Sequence, residues 1–255
     1  MQDAVRKTFD DCALHYATER ERMPYFLAQL RIVQSILANE TRGTMLDIGC
    51  AAGAEISILR SLGFRVIGVD LSERMVKFAR TRFEGDSELR LFCADAEHLP
   101  LSSNSVDHVL CLGLFEFLSD YSPALAEICR VLRPRGLAII ALPSGVSLYN
   151  VGSRFADATL RPIWRTAKRV LKSRGAIPAG NQVKRNLCIP WRFRSLLEKH
   201  GLRVERSAFS NYFIYPLDRF PVLHVRVAAL LEPLASVPLL RMGASLYLVS
   251  ARKSQ

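Results

Sequence analysis

The sequence predicts an α/β fold, a doubly wound, mostly parallel sheet of seven strands with helices on both faces, plus helical insertions. Three observations predict it. From residue 44 onward, short apolar runs alternate with amphipathic segments of helical length. The first run ends in a glycine-containing turn, "LDIGCAAGA", that leads directly into a helical pattern. Acids close the first three runs, at Asp47, Asp70 and Asp95.

Residues 3–38 read as helical, because Phe26, Leu27, Leu30, Val33, Ile36 and Leu37 recur at helical spacing. "TMLDIG" (44–49) is a short buried strand and "AEISILRSL" (54–62) a helix. "RVIGVD" (65–70) is a strand and "ERMVKFARTRF" (73–83) a helix. "LRLFCAD" (89–95) and "VDHVLCLG" (106–113) are strands. "YSPALAEICRVL" (121–132) is a helix with Pro123 in its first turn, where proline costs no hydrogen bond. "GLAIIALP" (136–143) is a strand stopped by proline. "PWRFRSLLEKHG" (190–201) is a helix with a glycine stop, and "LRVERSAF" (202–209) and "ASLYLVSARK" (244–253) complete the sheet. The expected organisation is an N-terminal helical cap (1–43), a core (44–143), a basic helical insertion on the substrate side (144–189), and a C-terminal completion of the sheet (190–255). That last part carries an apolar insertion over 210–243, interrupted by Pro216, Pro221, Pro233 and Pro238. No internal repeat is present.

The chain has 255 residues, 49% of them hydrophobic, which suits one domain with an elaboration. Its six cysteines are scattered without a C-x-x-C pair. That predicts free thiols in a reducing compartment and no disulfide or metal framework. The start lacks an apolar signal-like region, and no run of 18 apolar residues occurs. The reading is a cytoplasmic protein without a spanning helix. Net charge is +11, concentrated between Ser144 and Arg194, where eleven lysines and arginines face one acid, Asp157. Such a run is either a solvated helical face or a surface for an anionic substrate, an acidic membrane or nucleic acid.

A strand that turns through glycine into a helix sets backbone N–H groups at the carboxyl edge of a sheet, ready for a cofactor. Asp47 sits just before that turn. Asp70, 17 residues after Gly53, is placed to accept both hydroxyls of a ribose. Asp95, in "FCADAEHLP", is placed to reach an adenine amino group. A strand-end acid alone is an ordinary cap, but three in register on one edge are not explained that way. A nicotinamide dehydrogenase fits less well: the turn is D-I-G-C-A-A-G in place of a plain G-x-G-x-x-G, an acid also marks the third strand, and "ICRVLRPRGLAII" follows the fourth.

These stretches, with "VIGVDLSERMVKFAR", "FCADAEHLPLSSNSVDHVLCLGLFEFL" and "LAEICRVLRPRGLAIIALP", resemble the class I S-adenosylmethionine-dependent methyltransferases, which have a Rossmann-like fold. The likeness is to the small-molecule branch that includes quinone-biosynthesis enzymes, and it covers residues 44–143 in order and spacing. It implies S-adenosylmethionine as cofactor and S-adenosylhomocysteine as product. By this resemblance Asp47, Gly49, Cys50 and Gly53 surround the methionine and ribose, and Asp70 holds the ribose hydroxyls. Leu71 and Met75 pack against adenine, Asp95 and Ala96 hold its edge, and Leu112 and Gly113 lie beside the sulfonium. Tyr16, in a leading helix that closes over the cofactor, falls near the methionine carboxylate. For Met75 and Tyr16 ordinary packing explains the residue as well. The family usually has glycine at Ala51, so alanine there implies a backbone kept at or near negative φ.

Because the sulfonium methyl is already activated, alignment supplies much of the rate and a general base is optional. The sequence assigns none. His98 and His15 are candidates, His98 on the adenine side, where a bystander role fits. Glu116, after the fourth strand, is a candidate base or substrate ligand, or else a loop acid facing water. Tyr149 is a second substrate candidate. His200 reads as a favourable charge at a helix C-terminus. In this fold the insertions choose the acceptor. "VLHVRVAALLEPLASVPLL" (222–240) is a helix pair over the site or a surface helix dipping into lipid beside the basic segment. The expectation is therefore methylation of oxygen, or carbon, on a small apolar or lipid-like acceptor, with peripheral contact to an anionic membrane as a further reading. The alternatives are an RNA methyltransferase using the basic segment, which the absence of an Asn-Pro-Pro-aromatic motif disfavours, and a non-catalytic cofactor-binding subunit. Oligomeric state stays open.

Overall fold

The computed structural model describes residues 2–20, 24–147, 150, 186–210, 230 and 244–255. Seven strands form one sheet in the order β3-β2-β1-β4-β5-β7-β6. They are β1 (Thr44–Ile48), β2 (Arg65–Asp70), β3 (Leu89–Cys93), β4 (Val106–Leu112), β5 (Leu132–Pro143), β6 (Leu202–Ser210) and β7 (Leu246–Lys253). Pairing is parallel from β3 through β5, and β7 inserts antiparallel between β5 and β6. The described helices are α1 (Gln2–Glu19), α2 (Pro24–Leu37), α3 (Ala54–Ser61), α4 (Glu73–Arg82), α5 (Ser122–Val131) and α6 (Pro190–Lys199).

Both faces of the sheet are covered, so the central strands read as continuous apolar runs. On one face Leu46, Ile48, Val109, Cys111 and Ile140 pack against Leu125 and Ile128 of α5 and Phe193 and Leu197 of α6. On the other, Met45, Leu110, Leu112, Ile139 and Ala141 pack against Phe26, Leu30, Val33 and Leu37 of α2 and Ile56 and Leu59 of α3. The α2 positions follow the helical spacing that predicts them, except that Leu27 faces outward. Helix α1 lies instead on α4.

Several elements differ from expectation. The helical stretch expected over 3–38 is two helices, α1 and α2. β5 begins at Leu132, directly after α5, because Leu132 pairs with Val106 before the register shifts at His108. Arg135 takes a positive φ of 64° inside that irregularity, which a sequence pattern starting at Gly136 does not reveal. β3 ends at Cys93, so Asp95 lies on the following turn, with Ala94 N–H bonded to the Asp70 carbonyl at 3.0 Å. Among the described residues no helix is long and apolar enough to cross a membrane, and no cluster could hold a metal ion. The six cysteines are free thiols. Most of the basic insertion, with Tyr149, and nearly all of the apolar insertion lie outside the described residues.

Candidate functional site

The strand order reverses between β1 and β4, and a cleft opens there at the carboxyl ends of the strands, the usual ligand position in an open α/β sheet. The cleft has a cavity volume of about 80 Å³. Tyr16, Gly49, Ala51, Asp70, Leu71, Asp95, Ala96, Leu112 and Gly113 line it. Phe9, Leu114, Phe117 and Leu118 add an apolar rim, with Phe9 edge-on to Tyr16 at 5.8 Å and to Phe117 at 5.2 Å.

Asp70 organises the floor. Its Oδ2 accepts from Ala51 N–H at 2.9 Å and its Oδ1 from Ser72 N–H at 2.8 Å. One carboxylate thereby fixes both the turn after β1 and the start of α4. Each oxygen keeps a lone pair for a ligand hydroxyl. Burial pushes the carboxyl up to about 6, against the pull of those two N–H bonds. Ser72 caps α4, its Oγ accepting from Met75 N–H at 3.1 Å and donating to Asp10 Oδ1 of α1 at 2.6 Å. Asp10 also holds Arg74, so α1 is fastened over the cleft at the α4 end.

The turn itself is left-handed at three places. Gly49 and Gly53 have φ of 80° and 83°, and a Cβ on Gly53 would lie 2.6 Å from the Phe83 ring. Ala51 has φ of 45°, contrary to the expected negative value. The Asp70 bond to its N–H holds that conformation, which costs an L-residue roughly 1–2 kcal/mol. Ala51→Gly should therefore stabilise the fold by about 0.5 kcal/mol, the relief being partly offset by the greater freedom of glycine in the unfolded chain. A denaturation midpoint measured at unchanged m-value checks this.

Not every expected residue reaches the cleft surface. Asp47, Cys50, Gly53 and Met75 are buried beneath it, Met75 among Ala13, Ala51 and Ala52. His98 is exposed, 4.0 Å from Asp95 Oδ2. The side chain of His15, on α1, is outside the described set. Glu116 is buried in a 3-10 turn over Phe115–Phe117, which corrects its reading as a water-facing loop acid.

Sequence reasoning missed two residues beside Asp47 and Tyr16, Arg20 and Glu55. Arg20 Nη2 donates to Glu55 Oε1 at 2.6 Å and to the Leu112 carbonyl at 3.2 Å, and Nη1 donates to the Tyr16 hydroxyl. The guanidinium stacks on Phe26 at 4.7 Å. Glu55, in the first turn of α3, is 1% exposed. Asp47 is equally buried, and among the described residues neither Asp47 Oδ2 nor Glu55 Oε2 has a hydrogen-bond partner. Burial, then the Glu55 carboxylate, holds the Asp47 carboxyl well above the usual range, with Arg20 pulling the other way. Among the described residues, two buried carboxylates face one guanidinium, a pocket that favours a further positive charge.

Comparison with known proteins follows this geometry. Residues 46–140 match the model of the methyltransferase domain family. The malonyl-[acyl-carrier protein] O-methyltransferase of Yersinia pestis is 35% identical over 122 residues, 48% of this chain and 44% of that one. The chain spans under half the length of the curated relatives it matches first. Among solved structures, a chain of the complex between the Haloferax volcanii Trm112 methyltransferase activator and a methyltransferase superposes with a TM-score of 0.67 at 21% identity, covering 98% of both. An S-adenosylmethionine-dependent methyltransferase of Thermotoga maritima, named a possible histamine N-methyltransferase, gives 0.61 at 19% identity, over 97% of this chain and 99% of that one. At these identities the two structures establish the fold.

Proposed function

We propose that this chain, whose residues 46–140 match the model of a methyltransferase domain, uses S-adenosylmethionine to transfer a methyl group to an oxygen, or a carbon, of a small apolar or lipid-like acceptor. The observation that carries the cofactor half is Asp70, whose two oxygens already brace the turn and α4 while facing the cleft. Asp70 would hold the ribose hydroxyls, with Leu71, Asp95 and Ala96 around the adenine. The unpartnered oxygens of Asp47 and Glu55 fit the methionine ammonium, and Arg20 with Tyr16 fits its carboxylate. Leu112 and Gly113 border the reacting end.

Bound there, the cofactor supplies an activated methyl on a cationic sulfur. The chain's own work is alignment and exclusion of water, by Phe9 and Tyr16 of α1 and by Phe117 opposite. No side chain is assigned as base. The apolar rim supports an apolar acceptor, and the Yersinia pestis relative, an O-methyltransferase by name, supports oxygen. The basic insertion leaves and rejoins the core at the cleft's edge of the sheet. Ser144 bridges Cys188, Gly145 N–H bonds the Cys188 carbonyl at 2.7 Å, and Asn186 N–H bonds the Glu116 carbonyl at 2.6 Å. That placement supports a role for the insertion, and for Glu116, in choosing the acceptor.

Asp70 gives this reading a pH signature. Its ionised form is the better acceptor for the ribose, so affinity for S-adenosylhomocysteine should fall as pH drops through about 6. Titrations from pH 7 to pH 5 should show a steeper loss for the parent than for Asp70→Asn, by up to one proton per site. The acceptor is tested by incubating the protein with methyl-labelled S-adenosylmethionine and a lysate of its source, then counting lipid, aqueous, nucleic-acid and protein fractions. Label in the organic-soluble fraction is the expected result. Label in RNA would overturn the acceptor assignment.

A further inference from the structure

Among the described residues, the buried charges at the methionine end do not balance. Asp47 on β1 faces Glu55 of α3, Arg20 at the end of α1, Asp70 on β2, and the thiols of Cys50 and Cys111, both of which burial keeps protonated. Asp10 raises the Asp70 carboxyl but is not among the groups acting on Asp47. Arg20 gives both its Nε and its Nη2 to Glu55 Oε1. Those two bonds go to Glu55, while Asp47 Oδ2, without a hydrogen-bond partner among the described residues, is left in a 1% exposed position. A second unpaired carboxylate so buried is too costly to leave ionised, and the cheapest neutralisation available to the empty site is a proton.

We infer that Asp47, beside the Glu55–Arg20 pair, holds a proton in the cofactor-free protein and exchanges it for the cofactor's α-ammonium. This rests on the cofactor reading above. The exchange balances: the ammonium brings one positive charge to Asp47, and one proton leaves for solvent. Glu55 is the positioning residue. It takes the direct bonds of Arg20 Nε and Nη2, leaves Asp47 only a distant pull from that cation, and so makes the seat selective for a ligand that carries its own. Binding is then a proton-releasing step.

Calorimetric titration with S-adenosylhomocysteine at pH 7, in buffers of different ionisation enthalpy, measures that proton directly. The parent should release about one proton per ligand bound. Asp70, with its carboxyl at about 6, adds only about a tenth of a proton at this pH. Asp70→Asn, in which the Asp47–Glu55–Arg20 group is intact, should bind more weakly and release nearly as much as the parent. Asp47→Asn should release almost none. Glu55→Gln should release distinctly less than the parent, because Asp47 can then ionise against Arg20. Binding by the parent with less than about 0.2 proton released, or equal release from parent and Asp47→Asn, would overturn the inference and leave the cofactor reading standing. No binding by the folded parent would overturn the cofactor reading itself, and this inference with it.

Discussion

Asp70→Ala is expected to weaken S-adenosylhomocysteine binding by more than about 100-fold. Two ribose hydroxyl bonds to a charged acceptor account for roughly 3 kcal/mol. The substitution does further damage, because Asp70 also anchors Ala51 N–H and Ser72 N–H. Without it the left-handed Ala51 has nothing to hold its φ, and the first turn of α4 loses a bond. Asp70→Asn keeps one good acceptor and turns its amide hydrogens toward an N–H, so it should fall between parent and alanine. Equilibrium titrations of the three proteins, each shown folded by circular dichroism, test the order. Equal affinity in all three would remove Asp70 from the site.

The second large effect falls on stability. Arg20→Ala leaves Glu55, 1% exposed, without its ion-pair partner and beside the equally buried Asp47. Removing one member of a buried pair typically costs about 3–5 kcal/mol, and the stacking on Phe26 is lost as well. Guanidinium unfolding should show a loss of about 3 kcal/mol at constant m-value. Adding Glu55→Gln to Arg20→Ala should restore part of that loss, since the stranded charge is then gone, and a double-mutant cycle isolates the pair. A loss below about 0.5 kcal/mol in Arg20→Ala would mean that the pair is solvated.

The fold was legible because its elements announce themselves locally. The apolar run of β1, its glycine turn and the amphipathic α3 follow one another within residues 44–61, and the same pattern recurs for β2 and α4. The three acids were legible for the same reason, as each sits at or just past a strand end. What stayed hidden depends on distant partners. Glu55 reads as a polar residue in a helix's first turn, and only Arg20, 35 residues earlier, gives it a buried role. The handedness of Ala51 is set by Asp70, 19 residues later. Asp10 carries no local signal either, because its partner Ser72 lies on α4. Glu116 reads either as a candidate base or substrate ligand or as a loop acid facing water, and the 3-10 turn that buries it removes the second reading. The start of β5 at Leu132 is invisible to a pattern search, since the residues "RPRG" that follow look like a turn.

The central claim is that this cleft seats S-adenosylmethionine with its ribose on Asp70, and a crystal structure of the protein with S-adenosylhomocysteine tests it most directly. The account predicts the ribose hydroxyls within hydrogen-bond distance of Asp70 Oδ1 and Oδ2, adenine beside Leu71 and Asp95, and the amino group against Asp47 and Glu55. A ligand seated elsewhere, or a cleft left empty at saturating ligand, would contradict it.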